Sequence, residues 1–230
     1  MKKFILSILA IAAMTSCTKT SEDDVDPNAP VEIKLGGSIT ALSKAAVTDN
    51  TFTAQVASSE TTGNYATPLW SGTNAGKITV SDGSVTFTQT EYYPNDGGTV
   101  YMKGFAPQAA INTGQVAYTI SGEEDIMVTS EISGSRTDNT NKELTFNHLL
   151  TQLKFKLVAE DADAITYWGS ITSITVKDVE KDLVLNLNTG ELTVAPTSNK
   201  GDLEVSEGFT SKELTTTPAE NGYHQQPHMS

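Results

Sequence analysis

The sequence predicts an all-β protein built from antiparallel sheets stacked as a sandwich. Three observations carry that prediction. From Val31 onward, apolar residues recur with a period of two, as a half-buried strand requires. The runs are short, rich in Val, Ile, Thr and aromatics, and bounded by Gly, Asn, Asp or Ser. No convincing helical segment of ten or more residues interrupts them, and Ala159 to Ala164 is helix-compatible but short. Alternation gives each strand one dry and one wet face, which suits sheets packed face to face.

Taken in order, the chain opens on MKKFILSILAIAAMTSC. Lys2 and Lys3 precede an apolar run from Phe4 to Ala13, and Thr15 and Ser16 lead to Cys17, the only cysteine. This pattern is that of a secretory signal peptide over residues 1–16. Its apolar run is too short to cross ~30 Å of hydrocarbon as a permanent helix. The cysteine at its exit resembles the lipobox of bacterial lipoproteins, which implies lipidation of Cys17, with Met14 standing where leucine is commoner. A lone thiol has no disulfide partner, and two or more acyl chains anchor stably where one anchors marginally.

Removal of residues 1–16 leaves 214 residues and moves the formal charge from −13 to −15. Arg136 is the sole arginine, so no basic stripe exists for nucleic acid. Residues 17–30 read as an acidic tether, TKTSEDDVDPNAP following the cysteine. Ser21-Glu22-Asp23-Asp24 is either a plain acidic linker or a tag of the kind that directs some lipoproteins to the outer cell surface.

The first strand spans Val31 to Ile39, with Val31, Ile33 and Leu35 inward. Phe52, Ala54 and Val56 follow, then Ile78 with Val80, Val85 with Phe87, Val100 with Met102, and Val116 with Tyr118 and Ile120. Residues 57–76 break the rhythm as a long loop or irregular edge, and 129–142 as another; loops this long tend to be functional or mobile. In LTFNHLLTQLKFKLVA, Leu144, Phe146 and His148 share one face. Leu153, Phe155 and Leu157 share another, with Lys154 and Lys156 facing water. LVLNLNTGELTV reads as a hairpin, Leu183, Leu185 and Leu187 turning at Asn188-Thr189-Gly190 and returning through Leu192 and Val194. The division expected is a β-sandwich domain over 31–160 and a second, shortened or incomplete β domain over 161–230.

No catalytic constellation, metal set or cofactor motif is present in the sequence. His148 reads as a structural histidine on the apolar side of its strand. His224 and His228 are separated by Pro227 in a polar tail, which disfavours a shared metal face. Glu123, Glu124 and Asp125 are adjacent rather than opposed across a cleft. Trp70, Tyr92, Tyr93 and Trp168 are either a sugar-binding platform or core and rim.

The segment from Glu123 to Ala159 resembles the fimbrillin-like (type V pilin) lipoproteins of anaerobic Gram-negative bacteria. The resemblance rests on Asp125-Ile126-Met127, on Leu144, Phe146 and His148, and on the strand from Leu153 to Leu157. Gly104-Phe105 before Pro107 and the run LNLNTGELT add to it. It implies a transthyretin-like β-sandwich in two domains, exported to the outer membrane or fimbrium. It further implies trimming by a protease after the first strand and polymerisation by a neighbour's strand, so its partners are other pilin-type subunits. The loop concerned carries Lys44 where the family has an arginine, which makes Lys44 the candidate cleavage site. The second domain is shorter than the family pattern, as a short variant or a truncated chain. Two functions therefore stand: a fimbrial structural or accessory subunit, or a monomeric surface lipoprotein that binds a glycan or host ligand.

Overall fold

The alternating segments fold as strands in the computed structural model, which describes residues 29–40, 51–155, 157–205, 212–217 and 223–225. The first half contains β1 (Gly36–Ile39), β2 (Phe52–Ser59), β3 (Lys77–Ser81), β4 (Ser84–Phe87), β5 (Val100–Ala106), β6 (Ile111–Asn112), β7 (Gln115–Thr119), β8 (Met127–Thr129), β9 (Ile132–Gly134) and β10 (Glu143–His148). The remainder contains β11 (Leu153–Phe155), helix α1 (Ala162–Trp168), β12 (Ser170–Ile171), β13 (Thr175–Glu180), β14 (Asp182–Asn186), β15 (Glu191–Val194), β16 (Lys200–Glu204), β17 (Lys212–Glu213) and β18 (Tyr223–Gln225).

The largest sheet runs β2-β3-β4-β1-β10-β8-β5 and closes on itself, because β5 also pairs with β2. β9 extends the line of β8 along the same edge of β5. Closure removes sheet edges and encloses one core, in which Ile33, Leu35, Val56, Ile78, Met102, Leu144 and Phe146 meet. A second sheet, β15-β14-β7-β6, lies against the outside of β2, β5 and β8. Ala57, Phe105 and Val128 from the first sheet pack there with Val116, Leu185 and Leu187 from the second. The result is an all-β sandwich whose first layer is barrel-like. Six of the seven residues of β5 are buried, since both of its faces meet a core.

One glycine makes the inner packing possible. A Cβ on Gly104 would stand 2.8 Å from Cζ of Phe146 and 3.0 Å from Cγ2 of Thr129. Phe146 fills the space left free and meets Phe52 edge to face at 5.1 Å.

Several details differ from the sequence reading. β1 runs parallel to β10, unlike the other ladders of this sheet. More than a hundred residues separate the two strands, ample for the crossover that a parallel pair needs. Ile33 and Leu35 are buried as expected, and Val31 is half-buried. The stretch 129–142 is not one loop. It holds β9, recruited by the free edge of β5 through Val100, Tyr101 and Met102. Residues 57–59 extend β2 before the irregular stretch begins. Leu153 is 38% exposed rather than inward, because β11 pairs only with β18 and no second layer covers it among the described residues. The helix is seven residues long, capped by Asp161, whose carboxylate accepts from the Ala164 amide at 2.7 Å.

The hairpin around Gly190 forms as read. Leu183 faces Val194 and Leu185 faces Leu192, with Gly190 at φ 81°. β14 also pairs with β7 through five residues, so strands from both sides of residue 160 share one sheet.

Candidate functional site

The first strand occupies an interior slot of the closed sheet, and each of its edges is hydrogen-bonded. On one side the Tyr93 amide donates to the Val31 carbonyl at 3.0 Å, and the Ile33 amide donates to the Glu91 carbonyl at 2.9 Å. Farther along that side, the Val85 amide donates to Leu35 and the Gly37 amide to Gly83, at 3.3 and 3.2 Å. On the other side, the Gly36 and Thr40 amides donate to the Lys142 and Phe146 carbonyls, both at 2.8 Å. Ser38 Oγ reaches Glu143 at 2.9 Å, and Thr40 Oγ1 reaches Asn147 at 2.7 Å. Gly37 permits this fit, since a Cβ there would come within 2.8 Å of Val85 Cγ2.

Arg136 clamps the start of the same strand. Its Nη2 donates to the Ala29 carbonyl at 2.9 Å and its Nη1 to Asn95 Oδ1 at 2.7 Å. The sequence assigned this residue no structural role; its being the only arginine was the available signal.

Asp125, Met127, Phe146 and His148 come together on the β8–β10 pair. Nδ1 of His148 lies 2.7 Å from Oδ1 of Asp125, and the His148 side chain is 7% exposed. His148 stands opposite Met127, and Phe146 opposite Thr129. Cys17 and Lys44 lie outside the described residues, as does His228. Glu124 closes a turn, accepting from the Ser121 amide and hydroxyl and from the Gly122 amide. Burial opposes its ionisation, yet these bonds hold the carboxyl below the usual glutamate value. The aromatics named from sequence do not form one platform. Tyr93 is buried, Tyr92 is exposed, Trp70 packs on Phe87, and Trp168 lies exposed beside Tyr167. Among the described residues no group of His, Cys, Asp or Glu could hold a metal ion.

A polar knot on the outer face of β5 escaped the sequence reading. Glu131 accepts from Thr62 Oγ1 at 2.6 Å, the Gly63 amide at 2.8 Å and the Tyr65 hydroxyl at 2.7 Å. Burial raises its pKa, but those three bonds and the charge of Lys103 together hold the carboxyl low. Lys103 is 7% exposed, with its ammonium 5.7 Å from the Tyr65 ring centroid. Burial pulls its pKa down despite the attraction of Glu131. Nothing in the sequence distinguishes this lysine from the solvated ones.

The arrangement seats the first strand by hydrogen bonds along both of its edges. A family model described as fimbrillin-like matches residues 32–227. The chain belongs to the fimbrillin-like family. Among solved structures, a candidate cell adhesion protein from Bacteroides uniformis superposes with a TM-score of 0.58 at 17% identity, covering 80% of this chain and 72% of its own. It has the same fold. A candidate cell adhesion protein from Bacteroides ovatus gives 0.49 at 16% identity, over 86% and 77% of the two chains. A fimbrial protein from Bacteroides vulgatus gives 0.40 at 10% identity, over 85% and 77%. Among curated proteins, no match was found. In this fimbrillin-like chain no described helix is long and apolar enough to cross a membrane.

Proposed function

We propose that the chain is a fimbrial structural or accessory subunit of the cell surface, exported as a lipoprotein on Cys17 and assembled by exchange of its first strand. The observation that supports this reading is the seating of residues 31–40 between β4 and β10. The strand is an interior element of a closed sheet, yet it is the first of the described strands. A cut in the following segment, where Lys44 stands, would leave it joined to the barrel by non-covalent contacts alone.

Ile33 and Leu35 are the apolar anchors, at 1% and 7% exposure, each worth about 1.5–3 kcal/mol when fully buried. That loss is a large share of a domain's ~5–15 kcal/mol. A strand from a neighbouring subunit would restore it through the same main-chain bonds and alternating side chains. The partners are then other pilin-type subunits, and the outer membrane through lipid on Cys17.

Limited trypsin digestion, followed by N-terminal sequencing and size exclusion, tests the assembly step. Cleavage after Lys44 with strand release and oligomers supports a pilin. Resistance at Lys44, or cleavage with unfolding and no assembly, favours an uncleaved anchor or a monomeric ligand-binding lipoprotein. Mass spectrometry of the membrane fraction tests the anchor: a lipid-bearing peptide beginning at Cys17 is expected, and an intact Met1 or a free thiol contradicts it.

A further inference from the structure

Away from the first strand, the irregular stretch between β2 and β3 folds back over the barrel wall. It leaves an open groove of about 460 Å³ against the segment that follows β5. The groove is lined by Trp70 together with Gln55, Gln108, Lys77, Thr73 and Ser71, the rest of the wall being small or aliphatic.

Backbone carbonyls orient its two amides. Nε2 of Gln108 donates to the Ala54 and Ile78 carbonyls at 2.9 and 3.2 Å, which uses both of its hydrogens. Nε2 of Gln55 donates to the Ala75 carbonyl at 3.5 Å. Each amide therefore keeps an Oε1 as an acceptor, while Lys77, Thr73 and Ser71 supply donors. Trp70 is held rigidly. Its amide donates to Ser58 Oγ at 3.1 Å, and its ring meets Phe87 edge to face at 5.8 Å. The indole Nε1 is buried without a hydrogen-bond partner among the described residues. An orphaned buried donor is destabilising, and a purely packing position would be served without it by phenylalanine. Such local cost is characteristic of positions kept for binding.

We infer that this groove binds a saccharide, a neutral hexose- or hexosamine-containing glycan. A sugar ring offers an apolar C–H face to an aromatic surface, and hydroxyls that both donate and accept. One rigid indole beside two oriented amides and three further donors matches that chemistry. An extended peptide would need an open ladder edge. Here β2 is paired to β3 on one edge and to β5 on the other, so the groove offers none at Gln55. Lys77 is the one cation in the wall among the described residues, and the net charge of −13 disfavours an anionic ligand. No residue of 31–40 lines the groove, so this site stands or falls independently of strand exchange.

The test uses the full chain with Trp168→Phe, which leaves Trp70 as the only indole. Lactose and N,N′-diacetylchitobiose are titrated while indole emission is followed, with triglycine as the peptide control. A saturable change with at least one disaccharide is expected, weakened about fivefold by Lys77→Gln or Thr73→Val, the loss of one hydrogen bond. Far-ultraviolet circular dichroism checks that each variant is folded. No saturable change with either sugar, a response that both variants leave unaltered, or saturation by triglycine would overturn the proposal.

Discussion

β1 and β5 are both interior strands of the same closed sheet, yet they are held in different ways. β5 pairs with β2 over five residues and with β8 and β9 along its other edge, and its two faces belong to two cores. β1 has a four-residue parallel ladder to β10 and a single registered pair with β4. Within the first strand, Ile33 and Leu35 serve one core, while Glu32, Lys34 and Thr40 are exposed. Loss of β5 would open both layers of the sandwich. Loss of the first strand would open one slot in one layer. The difference separates an element that both layers of the sandwich rest on from one that serves a single core, and the proposed exchange concerns the second.

The largest expected effect falls on β5. Phe105→Ala should lower stability by about 3–5 kcal/mol in urea titration, because the ring is fully buried between the two sheets. A loss below about 1 kcal/mol would erase the contrast with β1. Ile33→Ala should cost about 2–5 kcal/mol in the intact chain. In the cleaved chain it should speed departure of the first strand while leaving exchange of β5 amides unchanged. A smaller effect follows for Arg136→Gln, about 1 kcal/mol from its clamp on Ala29 and Asn95. Its signature is faster hydrogen exchange at the Ile33 and Tyr93 amides, with no change in β5.

The smallest effects are pH-dependent and of opposite sign. Burial raises the Glu91 carboxyl above 4.5, with the Gly76 amide offsetting only part. A raised carboxyl favours the fold fully below its unfolded value, and that contribution is lost as pH rises through the folded value. Glu91→Gln should therefore stabilise the protein at neutral pH. Glu131 is held below 4.5, its bonds to Thr62, Gly63 and Tyr65 outweighing burial. Its contribution is present above 4.5 and lost as pH falls through the folded value, so Glu131→Gln should destabilise at neutral pH and matter little in acid. Thermal melts at neutral and acid pH would check both signs.

Much of this was legible in the sequence because strand alternation is local. Ile78 and Val80, Leu144 and Phe146, and the Gly190 hairpin follow from period and turn chemistry alone. The features that were not legible depend on distant partners. β9 sits in a polar run because β5 offers it an edge. Lys103 is buried because its strand has cores on both sides, and the parallel pairing of β1 with β10 is decided by the crossover rather than by either strand. At the site, the inward face of the first strand could be read, whereas the Arg136 clamp could not. A guanidinium reaching a carbonyl more than a hundred residues away leaves no local pattern.

The most direct test is strand replacement. The chain is cleaved in the 41–50 segment, the first strand is exchanged against an isotope-labelled peptide of residues 29–40, and native mass spectrometry follows uptake. The expected result is one labelled peptide per subunit, with β5 amides protected throughout. Loss of β5 protection together with the first strand, or no uptake after cleavage, would contradict a replaceable strand in an otherwise standing sandwich.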